Sequence, residues 1–464
     1  MLKTNPYQQV LPPLKSIEIK GDQFVNISNI RVKNLSDLEN PFQKVSKLFN
    51  LKHENVLSHE NVSILYDEGL EDEAYRIEVG AEIKLYAKTD AGIFYAAITL
   101  TNLIMMEVAL PYATLEDAPS VVERALHLDC GRKYFSKEWI MKFIDDLAKR
   151  KMNTLQMHFS ENLGFRIESK IFPEIVSDKH LKQDEVLEII KYAQDLFIQI
   201  IPSLDAPGHL RHILEVYPQY ALEGTKKEAI DISNPKARTF MKELYDEFSD
   251  LFKSSKYFNI GSDEFVDFET IDSFTPLVDY ARDILKIDDA SAIDTYIDFI
   301  NDMASHLEDK GFIVRVWNDG IHRLNQSEKI PLKTSIEICY WTKYHKYMAP
   351  LEVFEDKGYR IINYHAENFY YVFHVDVGIK LYKTEDWFES WNPHKFTFGQ
   401  ETKNESKVLG SSYAIWCDAP DIGTVRRVYN DTFEPIWAMA VKSWNKDTRL
   451  SYDAFTNLIL NYYL

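Results

Sequence analysis

The run Tyr257-Phe258-Asn259-Ile260-Gly261-Ser262-Asp263-Glu264-Phe265 carries the first structural decision in this chain. A short apolar segment reaches a glycine and a serine, then delivers two adjacent carboxylates. Apolar residues need a core and carboxylates need solvent or a ligand, so the pattern is that of a buried strand ending at a site. Neighbouring residues of a regular strand point to opposite faces, so Asp263 and Glu264 share a cleft only where strand geometry breaks down. Carboxylates held close push their proton affinities apart, which lets one stay protonated near neutrality beside an anion. An acid beside an anion is what glycosidic bond cleavage requires. Taken alone, an Asp-Glu pair is more often a solvated surface feature, so its surroundings decide.

Outward from this run the same rhythm recurs. From Val121 onward, short apolar strands end in polar residues and give way to helical patterns. The strands are Leu126–Asp129, Thr154–Phe159, Ile198–Leu204, Tyr257–Ile260, Ile313–Trp317, Ser335–Trp341, Tyr359–Tyr364 and Ser412–Trp416. Amphipathic stretches at Lys137–Lys151, Gln183–Leu196, Pro235–Lys253, Ala292–Lys310 and Pro350–Lys357 separate most of them. Phe433–Trp444 and Tyr452–Leu460 follow the last. This spacing predicts an α/β chain whose residues 120–464 form a (β/α)8 TIM barrel, with chemistry at the C-terminal ends of the strands. The seventh unit, Ala366 to Thr397, reads as a long loop. Residues 1–119 read as a small non-catalytic α+β domain with strands Ser16–Ile19, Phe24–Ile27, Ser63–Tyr66, Tyr75–Val79 and Glu82–Ala87. Asp90 to Met105 reads as its buried helix, N-capped by Asp90. Pro111, Pro119 and an acidic turn between them mark the boundary.

At 464 residues the chain has room for two or three domains, or a barrel with an appendage. Its 27 tyrosines, 27 phenylalanines and 8 tryptophans suit a protein that stacks aromatic faces on sugars, although aromatic-rich cores are equally common. A formal charge of −19 and a pI near 5.2 argue against nucleic acid and anionic membranes as partners. The N-terminus has no apolar signal core and no apolar run is long enough to span a bilayer. Three scattered cysteines make neither a disulfide framework nor a zinc site. A reduced cytoplasm is the expected location, with a trimmed export signal left open. No dinucleotide, phosphate-loop, zinc or nucleophile-elbow motif is present, so no cofactor and no metal are expected. His209 and His212 lie three apart without a clear set of carboxylates, which leaves a metal-dependent hydrolase as a minor alternative.

The strand ends supply a consistent set of polar and aromatic residues. Arg132 follows the first strand, where its rigid fork of donors can grip hydroxyls or simply close the barrel top with a salt bridge. Glu161 follows the second and His209, presented by Pro207-Gly208, the third. With Glu264 from the fourth they can form a proton-tuning chain. The plain alternative for His209 is a structural histidine, which the barrel-top position disfavours. Trp317, Trp341 and Trp416-Cys417-Asp418 end the fifth, sixth and eighth strands, and a tyrosine-rich segment runs from Asn363 to Tyr371. Together these residues describe an aromatic-walled pocket with few polar contacts.

In this order the motifs resemble glycoside hydrolase family 20, the β-N-acetylhexosaminidases. The resemblance rests on Asp129-x-Gly131-Arg132, Asn153 to Arg166, Asp205-Ala206-Pro207-Gly208-His209, Asn259-x-Gly261-Ser262-Asp263-Glu264, Trp317-Asn318-Asp319-Gly320 and Trp416-Cys417-Asp418. It covers about residues 121–464, and the leading domain is similar to the small domain that often precedes this barrel. The resemblance implies a retaining, substrate-assisted mechanism in which the 2-acetamido group attacks the anomeric carbon and forms an oxazolinium intermediate. Glu264 would then be the general acid and base, and Asp263 would orient the acetamido group. Tyr370 would bond the acetamido oxygen, and Trp317, Trp341 and Trp416 would wall the pocket. Arg132 and Asp418 would hold sugar hydroxyls, while Glu161 and His209 tune Glu264. The implied partner is an N-acetylhexosamine-containing oligosaccharide; a homodimer is left open.

Three departures stand out. Glu161-Asn162 replaces paired aspartates common in the family, Asn259 replaces a histidine, and Trp416-Cys417-Asp418 replaces Trp-Gly-Glu. The shorter Asp418 and the Ser160–Arg166 run look more like the lacto-N-biosidase branch, which releases Gal-β1,3-GlcNAc. Removal of single terminal GlcNAc or GalNAc is the preferred expectation, with disaccharide release and a non-catalytic glycan-binding barrel as alternatives.

Overall fold

The computed structural model describes residues 5–26, 41–49, 62–106, 108–373 and 380–460. Eight parallel strands close into a barrel: Glu123–Asp129, Thr154–Glu161, Gln199–Ala206, Tyr257–Gly261, Ile313–Trp317, Glu337–Tyr340, Ile361–Asn363 and Val408–Trp416. Each pairs in parallel with the next, and the eighth pairs with the first from Gly410↔Glu123 to Ile415↔Leu128, which completes the ring. Amphipathic helices, among them Lys137–Lys149, Gln183–Asp195, Pro235–Leu251 and Ala292–Glu308, cover the outside. The last long helix begins at Val425, eight residues before the expected start. It runs to Trp444 with Pro435 in its interior.

The seventh unit is more ordered than a loop. After Ile361–Asn363 the chain makes one helical turn, Ala366–Phe369, and returns as the strand Tyr370–Val372. This segment pairs with Ala414–Trp416, above the Val408–Ser411 stretch that pairs with the seventh strand itself. One stave of the barrel is therefore built from two pieces, and the upper piece sets Tyr370 at the barrel top.

The lower interior of the barrel is ionic. Arg315 is fully buried, donates through Nη1 and Nη2 to Glu123 at 2.8 and 2.6 Å, and through Nε to Glu337 at 2.9 Å. Removing the guanidinium strands the buried Glu123 carboxylate and leaves Glu337 only its pairing with Arg360. Arg315→Met is expected to cost about 3–5 kcal/mol in urea unfolding at neutral pH. The loss should shrink as pH falls, because burial already pushes the Glu337 carboxyl up and losing Arg315, which opposes that, lets it take up a proton more readily.

The leading domain is a five-stranded sheet in the order Ser16–Val25, Leu110–Asp117, Tyr75–Val79, Ile83–Ala87, Val62–Tyr66, packed on the helix Asp90–Met105. The two first strands expected are one, with a bulge between Ile19 and Phe24; Ile27 lies outside the described residues. The stretch expected to be an acidic turn is the strand Leu110–Asp117, hydrogen-bonded on both sides. Pro111 fits because it lies near the strand's start, opposite Phe24 of the edge strand. The helix is capped by Thr89, whose hydroxyl accepts from Gly92 N, and Asp90 occupies its first turn. Domain and barrel share one apolar core. Within it the fully buried Lys151 donates to Tyr75 at 2.7 Å and Thr99 at 2.9 Å and pairs with Asp117 at 3.3 Å. Trp444 donates to the same aspartate at 2.8 Å.

Candidate active site

The fourth strand stops because of its backbone. Gly261 has φ 75°, and a Cβ there would lie 2.5 Å from Asp205 Oδ1, so only glycine fits. Ser262 (φ 74°) and Glu264 (φ 45°) also take left-handed conformations that L residues adopt at a cost. The break in alternation turns Asp263 and Glu264 into one cavity. Surrounding residues hold this strained turn. Asn259 Oδ1 accepts from Gly261 N at 2.8 Å, the role found here for the residue that departs from the family pattern. Tyr296 donates to Ser262 O and stacks on Phe265 at 5.7 Å. Glu264 N donates to Asp319 Oδ2 at 3.0 Å. Gly208 leaves space for Asp263 O, which a Cβ would meet at 2.8 Å.

The cavity lies at the C-terminal end of the barrel and encloses about 240 Å³. Arg132, Glu161, His209, Asp263, Glu264, Trp317, Trp341, Tyr370, Trp416 and Asp418 all line it. His209 is the hub. Its Nε2 lies 3.3 Å from Asp263 Oδ2 and 3.6 Å from Glu264 Oε2, and its Nδ1 lies 3.2 Å from Glu161 Oε1. Glu161 Oε1 in turn lies 2.6 Å from Arg132 Nη2, while Arg132 Nη1 donates to Asp129 Oδ2 at 2.9 Å.

These contacts sort the protons. Burial alone would lower the His209 pKa, but Glu161 and Asp263 outweigh it and hold the imidazole well above its usual range. Burial would raise Glu161, yet Arg132 and His209 hold it well below the usual carboxylate range. Glu264 is pushed up, first by burial and then by Asp263 and Glu161, with His209 opposing. Half of its side chain (51%) faces the cavity mouth, so water screens part of this until a ligand fills the space. An acid with a raised pKa stays protonated to higher pH, so the alkaline limb of kcat/KM should lie above the ordinary glutamate range. His209→Gln removes the cation that favours the Glu264 anion. The limb should therefore move further up in a pH–rate profile while kcat falls about 10²-fold.

A further tier backs this chain. His158 Nε2 lies 3.6 Å from Glu161 Oε1, and His158 Nδ1 lies 3.7 Å from Asp205 Oδ1 and 3.1 Å from Ser203 Oγ. Burial pushes Asp205 up to about 7, with His158 opposing and Asp263 adding. Among the described residues these three side chains are close enough to hold a metal ion. Burial would lower the His158 pKa, but Asp205 and Glu161 outweigh it and raise it, so the imidazole is paired with both carboxylates. The trio is better suited to an ion-paired relay behind Glu161.

Aromatic rings form the remaining wall. Trp341 and Tyr370 lie parallel, 5.8 Å apart and 4° from coplanar, and Tyr370 meets Trp416 edge-on at 5.8 Å. Trp317 is 1% exposed and packs on Tyr364 at 4.6 Å, so it fills the barrel as well as flooring the cavity. The Arg132 guanidinium lies 5.6 Å from the Trp416 ring centre. Asp418, 3.9 Å from Arg132 and one-third exposed, is held loosely beside that guanidinium. Sequence reasoning missed Tyr344 and Val372, which complete the lining, and assigned no role to Asp319, Asp205 or His158. Tyr344 lies three residues past Trp341, an aromatic signal with no strand end to flag it. The other three stand within the motifs quoted above.

A model described as "Glycosyl hydrolase family 20, catalytic domain" matches residues 123–447, and one described as "Glycosyl hydrolase family 20, domain 2" matches residues 7–118. The chain belongs to glycosyl hydrolase family 20. Lacto-N-biosidase of Bifidobacterium bifidum is 28% identical over 389 residues, 81% of this chain and 33% of that protein. Beta-hexosaminidase subunit A2 of Dictyostelium discoideum is 28% identical over 272 residues, 54% of this chain and 49% of its own length. The chain thus spans between a third and a half of these curated relatives. Among solved structures, beta-N-acetylhexosaminidase from Bacteroides fragilis superposes with a TM-score of 0.78 at 25% identity, covering 97% of this chain and 94% of that one. Beta-hexosaminidase of Streptomyces plicatus, at 18% identity and a TM-score of 0.77, shares the fold over 100% of this chain and 96% of its own.

Proposed function

We propose that this family 20 chain is a retaining, substrate-assisted β-N-acetylhexosaminidase that removes non-reducing terminal β-linked GlcNAc or GalNAc. One observation carries the reading. Asp263 and Glu264 both approach the same nitrogen of His209, at 3.3 and 3.6 Å. Two carboxylates converging from one loop cannot flank a glycosidic bond from opposite faces, as direct nucleophilic displacement or a general-base inversion demands. This fits the substrate-assisted exception that family 20 makes to the two-carboxylate scheme, in which the nucleophile comes from the sugar.

Glu264, exposed toward the mouth, meets the glycosidic oxygen and gives it a proton. Asp263, only 13% exposed and on the side of Tyr370, meets the acetamido group. The acetamido oxygen attacks the anomeric carbon as the bond to the leaving oxygen breaks. Asp263 holds the amide N–H and balances the positive charge that develops there, and the Tyr370 hydroxyl donates to the acetamido oxygen as it attacks. Glu264, now an anion, takes a proton from water, which attacks the anomeric carbon and reopens the ring. Two inversions give retention. Arg132 and Asp418 face the sugar hydroxyls, and the aromatic wall excludes water and stacks on the ring.

The test is hydrolysis of 4-nitrophenyl β-GlcNAc, β-GalNAc and lacto-N-bioside in parallel, with Glu264→Gln as control. Turnover of the monosaccharides that vanishes in the variant supports the reading. Turnover of the disaccharide alone reassigns the substrate to lacto-N-biose, and silence on all three contradicts catalysis.

A further inference from the structure

Asp319 lies two residues past the fifth strand, is 2% exposed and is not among the residues lining the cavity. Its two oxygens serve two different parts of the site. Oδ2 accepts the backbone N–H of Glu264 at 3.0 Å, and Oδ1 accepts the Trp341 indole N–H at 3.1 Å. The residue itself is fixed. Arg323 donates to its carbonyl at 3.1 Å, and a Cβ on the next residue, Gly320, would come within 2.4 Å of both Phe268 and Tyr296, so the backbone is packed tight.

We propose that Asp319 is a positioning residue that locks the acid-bearing backbone of Glu264 to the stacking wall at Trp341. The inference rests on the hexosaminidase reading above. Glu264 sits at φ 45°, a conformation that persists only where its surroundings over-determine it. Without Asp319 the Glu264 N–H loses its acceptor, and the turn gains a reason to relax. A displacement of about 1 Å at a catalytic group costs about 10²-fold. The Trp341 ring, parallel to Tyr370, would shift in the same event. An asparagine cannot replace the carboxylate: it offers one acceptor oxygen, and its amide N–H groups then face the other donor.

A positioning role and a merely structural one differ in leaving-group dependence. A 4-nitrophenol leaving group needs little protonation, whereas an alkyl alcohol depends on the acid. Asp319→Asn should lower kcat/KM about 10-fold on 4-nitrophenyl β-GlcNAc and at least about 100-fold on methyl β-GlcNAc, with the difference in kcat. Equal losses on the two substrates, or no loss on either, would overturn the proposal. Should Asp319→Asn not fold, Trp341→Phe decides. It keeps a ring and deletes one donor to Asp319, and a split of the same sign of about threefold is expected, with no split overturning the role. Wild-type protein hydrolysing neither substrate would overturn the hexosaminidase reading itself. An active wild type with an unsplit variant overturns only Asp319.

Discussion

Glu264→Gln is expected to lose about 10³-fold in kcat on an oligosaccharide substrate, with KM little changed. The amide matches the carboxyl in shape, and the contact that fixes the turn runs through the backbone N–H to Asp319, so the fold of the loop survives. What disappears is the proton. Burial together with Asp263 and Glu161 holds that proton on Glu264, and His209 limits how tightly. The loss should be smaller on a 4-nitrophenyl glycoside, because cleavage of an activated leaving group asks less of the acid. The second step still needs a base to take a proton from water, so turnover stays impaired on both. Steady-state kinetics on one activated and one alkyl substrate, with a burst measured on the former, checks each half.

Asp263→Asn should cost about 10²–10³-fold in kcat through a different route. Asp263 is 13% exposed, 3.3 Å from His209 Nε2 and on the Tyr370 side of the cavity. There its anion can accept from the acetamido N–H and oppose the charge of the cyclic intermediate. A neutral amide does neither, and it can turn an N–H toward the N–H it should accept. The protonated His209 also loses one of the two carboxylates that hold its pKa up. Because the defect lies in attack by the acetamido group, the loss should be nearly independent of the leaving group. That contrast with Glu264→Gln separates the two adjacent carboxylates by role. Similar leaving-group dependence in the two variants would contradict the division.

The barrel was legible because each strand is an apolar run ending in a polar residue, a pattern that survives without an alignment. Ile313–Trp317 and the helix Asp90–Met105 are legible to the residue. Leu110–Asp117 was not, because Pro111 and the acidic residues near its end mimic a turn, and only its neighbours in the sheet make it a strand. Tyr370 shows the same limit. Its place depends on the short return strand beside Ala414–Trp416, a long-range pairing with no local signature. Most lining residues were legible as strand-end polar and aromatic side chains, whereas Tyr344 and Val372 were not. The residues behind them were not: whether Asp319 touches Glu264 depends on a turn of left-handed residues that no periodicity reports. The ionic layer of Arg315, Glu123 and Glu337 was hidden for the same reason, since its members are 192 and 22 positions from the arginine.

The central claim is that the sugar's own acetamido group is the nucleophile. The direct measurement is kcat/KM for a series of 4-nitrophenyl β-glucosaminides whose N-acyl group carries none, one, two or three fluorines. Fluorine drains the carbonyl oxygen of nucleophilicity without enlarging the group much. Attack by the acetamido oxygen predicts a steep, monotonic fall across the series, by orders of magnitude from acetyl to trifluoroacetyl. A flat series would place the nucleophile on the protein and contradict substrate assistance.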